Sequence, residues 1–149
     1  MKELGMFNFF ASKTDKIIEE VMDKAYNPDL RDDDISQLND VEKVIFIVNV
    51  FNMEVLNGGV CQFFSNSSGE YAPFISECLE KIGSIENKKL FDNFVKENNI
   101  DLHDLSVFKA SDIPDYSYRV CKLYDYEKFD ANYVEIDDEL AEYIKKNYK

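Results

Sequence analysis

Apolar residues recur at helical intervals along most of this chain, and one stretch stands apart because it is apolar on all sides. From Val44 to Leu56 ten of thirteen residues are apolar (Val44, Ile45, Phe46, Ile47, Val48, Val50, Phe51, Met53, Val55 and Leu56). They leave no polar stripe, so a helix there is buried on nearly every side. A buried strand competes, because the run is rich in β-branched residues. Thirteen residues is long for a strand, however, and no glycine or proline interrupts the run. The pattern therefore predicts a central helix. Asp40 is placed to accept hydrogen bonds from its first free amides, with Glu42 at the positive end of its dipole. Asn57, Gly58 and Gly59 close it with a sharp turn, since glycine reaches left-handed backbone without steric cost.

The flanking segments read as ordinary packing helices. Ser12 or Thr14 opens one in which Ile17, Ile18, Val21, Met22, Ala25 and Tyr26 face the core and Glu19, Glu20 and Asp23 face out. Asn27-Pro28 ends it, and an acidic loop from Asp29 to Asp34 follows before Ile35 and Leu38 return inward. Phe74, Ile75, Cys78, Leu79 and Ile82 mark a short helix closed by Gly83, and Leu90, Phe91, Phe94 and Val95 another closed near Asn98-Asn99. Asp101 to Pro114 reads as loop with a short turn over Leu102 to Phe108. Beyond Asp115 the chain is dense in tyrosine, and the alternation of Tyr118, Val120 and Tyr124 also suits a strand. A last helix opens at Ile136-Asp137-Asp138-Glu139 and ends in Lys145, Lys146 and Lys149, acid first and base last as the dipole prefers.

The segment after the central helix, Val60 to Gly69, mixes adjacent aromatics with amides and hydroxyls. Gln62 and Asn66 share a face if it is helical, leaving Phe63 and Phe64 to point inward. Ser67 with Glu70 has the form of a capping box, although Pro73 favours a later helix start at Ala72. The run Asn57-Gly58-Gly59-x-x-Gln62-Phe63-Phe64-x-Asn66-Ser67-Ser68-Gly69, preceded by an apolar helix carrying Glu54, resembles the core motif of the bacterial DNA-mimic protein family. The likeness extends more loosely from about Asp40 to the C-terminus, including Phe129-Asp130 and the Tyr143-Ile144 helix. It implies an all-helical acidic domain, and it implies a partner, since the family's named member occupies the DNA-binding face of a transcription regulator. Most relatives have no assigned function. With this resemblance, helices are the expected reading of the tyrosine-rich segment too. The expected fold is all-α, one compact domain over residues 1–149 with about six to seven helices around the buried central one.

Composition supports a packed core, since 45% of the 149 residues are hydrophobic and Phe and Tyr number twelve and nine. Seventeen basic residues against thirty acidic ones leave a net charge of −13. Phosphate contact needs basic patches, so direct nucleic-acid binding and anionic membranes are disfavoured and a basic partner protein is favoured. By the charge density of duplex DNA, ~13 charges match roughly 22 Å of helix. Acid concentrates in two regions. Ten acids against three bases lie from Asp15 to Glu42, and eleven against four from Asp101 to Glu139. Brought together they form one face, with Asp29, Asp32, Asp33, Asp34, Asp112, Asp115, Asp137, Asp138 and Glu139 as contact candidates. Solvated turns and helix-start acids explain the same residues without any partner.

Other chemistry is weaker. The three cysteines, Cys61, Cys78 and Cys121, are odd in number and sit among apolar residues, as free thiols in a reducing cytoplasm do. Met1 to Ala11, with Met6, Phe7, Phe9 and Phe10, lacks a cleavage site and reads as an arm docking on the core or on a partner. No segment approaches the ~20 apolar residues that span a bilayer. Cys61 with His103 is the one nucleophile–base pair worth weighing for a hydrolase, with Gly58-Gly59 amides as an oxyanion site, but its spacing matches no known signature. Neither the cysteines with His103 nor Asp32-Asp33-Asp34 has metal-ligand spacing, and no cofactor is expected. The motif amides must be hydrogen-bonded if buried, which makes them structural, while a small-ligand pocket is the sharper alternative. The sequence expectation is thus a non-catalytic binding protein for a basic partner, a DNA-binding regulator or a nuclease. The second case would make it an immunity-type inhibitor. A homodimer is compatible with either.

Overall fold

The computed structural model describes residues 12–109 and 124–149. The expected N-terminal arm lies outside these residues, as do Asp112, Asp115 and Cys121. The fold is all-α, as expected. Helix α1 (Lys13–Ala25) is followed by a small antiparallel pair, β1 (Tyr26–Asn27) with β2 (Asp32–Asp33), and a 3-10 turn over Ile35–Gln37. The long α2 (Asp40–Ser65) comes next, then a 3-10 turn at Ser67–Tyr71, α3 (Ala72–Lys81) and α4 (Ile85–Glu97). The short α5 (Ser106–Lys109), α6 (Tyr126–Asn132) and α7 (Asp137–Asn147) complete the described elements.

Helix α2 is the axis of the molecule, and α1, α3, α6 and α7 all pack on it. Its residues Val44 to Val48, Phe51 and Val55 are buried around its whole circumference, as an all-apolar run requires. By length and composition α2 could cross a membrane, with a mean hydropathy of 1.6 in its most apolar window. That corrects the expectation that no segment reaches spanning length. The reason is that the helix resumes after the glycines and gains Val60, Phe63 and Phe64, all of which pack inside the protein.

Aromatic rings fill the centre. Phe51 meets Phe63, Phe91 and Tyr133 edge-on at 4.9, 5.6 and 5.7 Å, and Phe64 stacks on Phe108 at 5.2 Å and on Phe94 at 6.1 Å. Phe108 thus makes core contacts from a segment whose sequence showed no period. Buried amides tie the later helices down. Tyr133 Oη donates to Asn52 Oδ1 at 2.8 Å, and Asn87 Nδ2 donates to the Val134 carbonyl at 2.7 Å.

The helix starts are more specific than predicted. Ser12 caps α1 through a reciprocal capping box with Asp15. The cap of α2 is Asn39 and not Asp40: Asn39 Oδ1 accepts from the Glu42 amide, and Glu42 accepts from the Asn39 amide, both at 2.9 Å. Asn39 wins because Glu42 stands three residues on and can close the box. The proposed Ser67–Glu70 box does not form; a 3-10 turn occupies 67–71 and α3 begins at Ala72 with Pro73 in its first turn. The acidic loop supplies the turn and second strand of the β1–β2 hairpin, which two-residue strands could not announce by alternation. Tyr26 and Phe74, assigned inward by periodicity, are instead exposed.

Glu42, only 6% exposed, also receives Lys24 Nζ on both carboxylate oxygens at 2.9 and 3.0 Å, bolting α1 to α2. Burial alone would raise this carboxyl, but the Lys24 ion pair and the Asn39 amide outweigh it and hold the pKa below the usual value. A depressed carboxylate contributes stability that is present above its unfolded pKa and lost as pH falls through the folded one. Replacing Lys24 with alanine is therefore expected to lower stability by about 2 kcal/mol at neutral pH. The gap from the parent should close as pH drops below the ordinary carboxylate range. Urea unfolding at a series of pH values checks both the size and the convergence.

Candidate functional site

The sequence motif is built around a break in α2. Gly58 (φ −147°, ψ 15°) and Gly59 (φ 81°, ψ 175°) leave helical geometry, so the axis kinks and a second helical segment starts at Val60. A new helix start exposes free amides. Asp130, on α6, caps one from across the fold, its Oδ1 accepting from the Val60 amide at 2.9 Å. The carboxylate lies so close to Gly59 that a Cβ there would collide with it. The resemblance of Phe129-Asp130 to the family pattern thus has a physical basis: Phe129 is buried in the aromatic core and Asp130 closes the kink.

The polar motif residues converge on Glu54, one turn before the kink. Gln62 Nε2 donates to it at 2.7 Å, Asn66 Nδ2 at 2.9 Å and the Ser68 hydroxyl at 3.3 Å. Gln62 and Asn66 do share a face, and that face turns back toward the first half of the helix. Phe63 and Phe64 point inward, fully buried. Gly69 is buried where a Cβ would press on the Phe63 and Phe64 carbonyls and on Leu105. Ser67 is exposed, and Asn57 is exposed on the rim of a groove with Leu56. Most of the motif therefore folds the chain back on itself: a carboxylate gathers three donors on one side of the kink while Asp130 satisfies the other.

The acidic candidates fall into two groups joined by α1. At one end Asp32 is exposed on the hairpin and Asp33 is half-buried beside it. Burial, with the nearby charges of Asp32 and Glu70, raises the Asp33 pKa. Asp29 is exposed in the hairpin turn, and Asp34 is lowered by its hydrogen bond to Ser36, whose amide it caps at 3.0 Å. At the other end Asp137 and Asp138 are exposed at the start of α7, with Glu139 half-buried. The Asp137 pKa is raised by partial burial, by its bond with Glu135, and by the charges of Asp15 and Asp138. Asp15 belongs to α1, so the start of α7 meets the start of α1 while the hairpin continues from the end of α1.

Between the two groups Asp15, Glu19 and Asp23 recur every fourth residue along the exposed side of α1. At 1.5 Å rise they stand about 6 Å apart on one face. They were not among the sequence candidates. The four-residue repeat of acids is the signal in the sequence that marks them, beyond the outward face of Glu19, Glu20 and Asp23.

For the hydrolase alternative, Cys61 is disulfide-bonded, contrary to the free-thiol expectation, and so has no thiolate to offer. Cys78 is a free, buried thiol whose pKa burial pushes up to about 11. His103 is exposed, its backbone amide donating to Asp101 at 2.9 Å. Among the described residues no group of three or more His, Cys, Asp or Glu is arranged to hold a metal.

In comparison with known proteins, a family model described as DMP19-like protein matches residues 36–147. No curated protein and no solved structure matches the chain.

Proposed function

Since this chain belongs to the DMP19-like protein family, of DNA-mimic type, we propose that it binds the nucleic-acid-contacting surface of a basic protein, most simply a DNA-binding regulator. Carboxylates along α1 and at its two ends take the place of phosphates. The single observation that carries this reading is the line Asp15, Glu19 and Asp23 on the exposed side of α1, which Asp137 approaches at the start of the helix, while the hairpin acids Asp32 and Asp33 follow its end in the chain. The carboxyls at both ends are raised first by partial burial and then by neighbouring acids, and a cationic partner relieves the second of these. The reading is non-catalytic, and the motif around Glu54 serves it by holding the scaffold.

Reversing Asp15, Glu19 and Asp23 to lysine together is expected to weaken the partner at least tenfold and to reduce the salt dependence of binding, with the fold kept because all three are exposed and the lost Ser12–Asp15 capping box costs only about 1 kcal/mol. The partner is obtained by elution from native cytosol with a salt gradient, and its DNA binding is then titrated with this protein. Stoichiometric displacement of DNA, lost in the triple variant, is the expected result. Simultaneous binding of DNA and this protein, or unchanged affinity of the variant, sinks the proposal. A nuclease in the eluate would move the assignment to the immunity reading.

A further inference from the structure

Helix α2 leaves two large apolar side chains in water, Met53 and Leu56, at 57% and 58% exposure, against the sequence expectation of a helix buried on nearly every side. With the half-buried Val50 they recur every third residue along one ridge, about 9 Å in length. Met22 of α1 forms the opposite wall, enclosing a groove of about 550 Å³ into which Glu54 also opens. Glu54 is fixed there by Gln62, Asn66 and Ser68. One turn and one residue from Met22 on its own helix stand the exposed Glu19 and Asp23, so an apolar floor is rimmed by acid.

We propose that this groove receives an amphipathic, basic helix of the partner protein, its apolar anchors at helical spacing between Met22 and the Val50–Met53–Leu56 ridge and its lysines or arginines against Glu19, Asp23 and Glu54. Charge complementarity selects this occupant: a second copy would bring another net −13 to an acid-rimmed surface. An apolar groove walled by two helices suits helix-in-groove recognition, and methionine adapts to varied apolar surfaces. This deepens the acidic-binding reading and rests on it. It adds a contact that salt does not screen and that carboxylate mimicry alone does not supply.

The test uses the full chain and two labelled peptides of identical leucine and lysine composition. One places leucine at i, i+3, i+4 and i+7; the other scatters the leucines. The patterned peptide is expected to bind at least about tenfold more tightly and to stay bound in about 0.5 M salt, where exposed charge pairs are screened. Replacing Met53 and Leu56 together with serine should abolish that preference without shifting thermal unfolding. Equal binding of the two peptides, or a preference that survives the double substitution, overturns the proposal. So does a dimer in sedimentation that the double substitution dissociates. The lysine variants of α1 lower the affinity for both peptides alike, so failure of the acidic reading and failure of the groove give different patterns.

Discussion

Alanine in place of Gly59 is expected to lower the unfolding free energy by about 3 kcal/mol or more, a midpoint fall of about 6–12 °C for a chain of this size. Two costs add. Backbone at φ 81° and ψ 175° belongs to a region open essentially only to glycine. The new methyl group would also collide with the Asp130 carboxylate, and moving that carboxylate away strands the buried Val60 amide that it caps. Gly83 provides the control, since it has the same φ of 81° but a Cβ there would meet nothing within 4 Å. Alanine at Gly83 should therefore cost only the backbone part, about 1 kcal/mol. Thermal or urea unfolding of the two variants side by side decides the matter. Equal losses would mean that the Asp130 contact does not constrain the kink.

That kink shows what the sequence could and could not say. The glycines announced that the central helix breaks off, and the shared face of Gln62 and Asn66 was legible on the condition that the segment beyond is helical; both follow from local rules. What the two amides bond to was not legible, because Glu54 lies eight and twelve residues back and only the turn brings it round. Asp130 was farther out of reach, seventy residues from the amide that it caps. The central helix was legible because an all-apolar run has one economical burial, whereas Phe108 and the hairpin were not, since a four-residue helix and two-residue strands carry no period. The acid of α1 was visible as an outer face, but that it links the hairpin acids to those of α7 depends on how α1 crosses the fold. Local pattern thus specified the elements, and the long-range carboxylate contacts specify how they join.

The second large effect is expected at Glu54, where the structural and ligand readings of the motif make opposite predictions. If the carboxylate holds the chain folded back, Glu54→Ala removes the acceptor for Gln62, Asn66 and Ser68. Hydrogen bonds to a charged group are worth about 1.5–3 kcal/mol each when buried, but Asn66 is exposed and can turn to water, so the loss should be about 3 kcal/mol in total. Ser68 is buried and keeps only the Phe63 carbonyl, 3.3 Å away, as its remaining acceptor. Glu54→Gln should fall between the two, since its amide keeps one acceptor oxygen but turns a donor toward other donors. In a double-substitution cycle, Glu54→Ala and Gln62→Ala should be less than additive by about 1–2 kcal/mol, because the second change removes a partner already lost. A carboxylate kept for a ligand behaves in the opposite way. Functional sites commonly hold like or unsatisfied polar groups at a cost in stability, so alanine there leaves the ligand-free protein unchanged or more stable. Urea unfolding of the four Glu54 and Gln62 variants, the double one included, therefore separates the readings without any ligand in hand. Loss of stability with strong coupling assigns the motif to the scaffold, and unchanged stability would reopen the groove beside Glu54 as a small-molecule site.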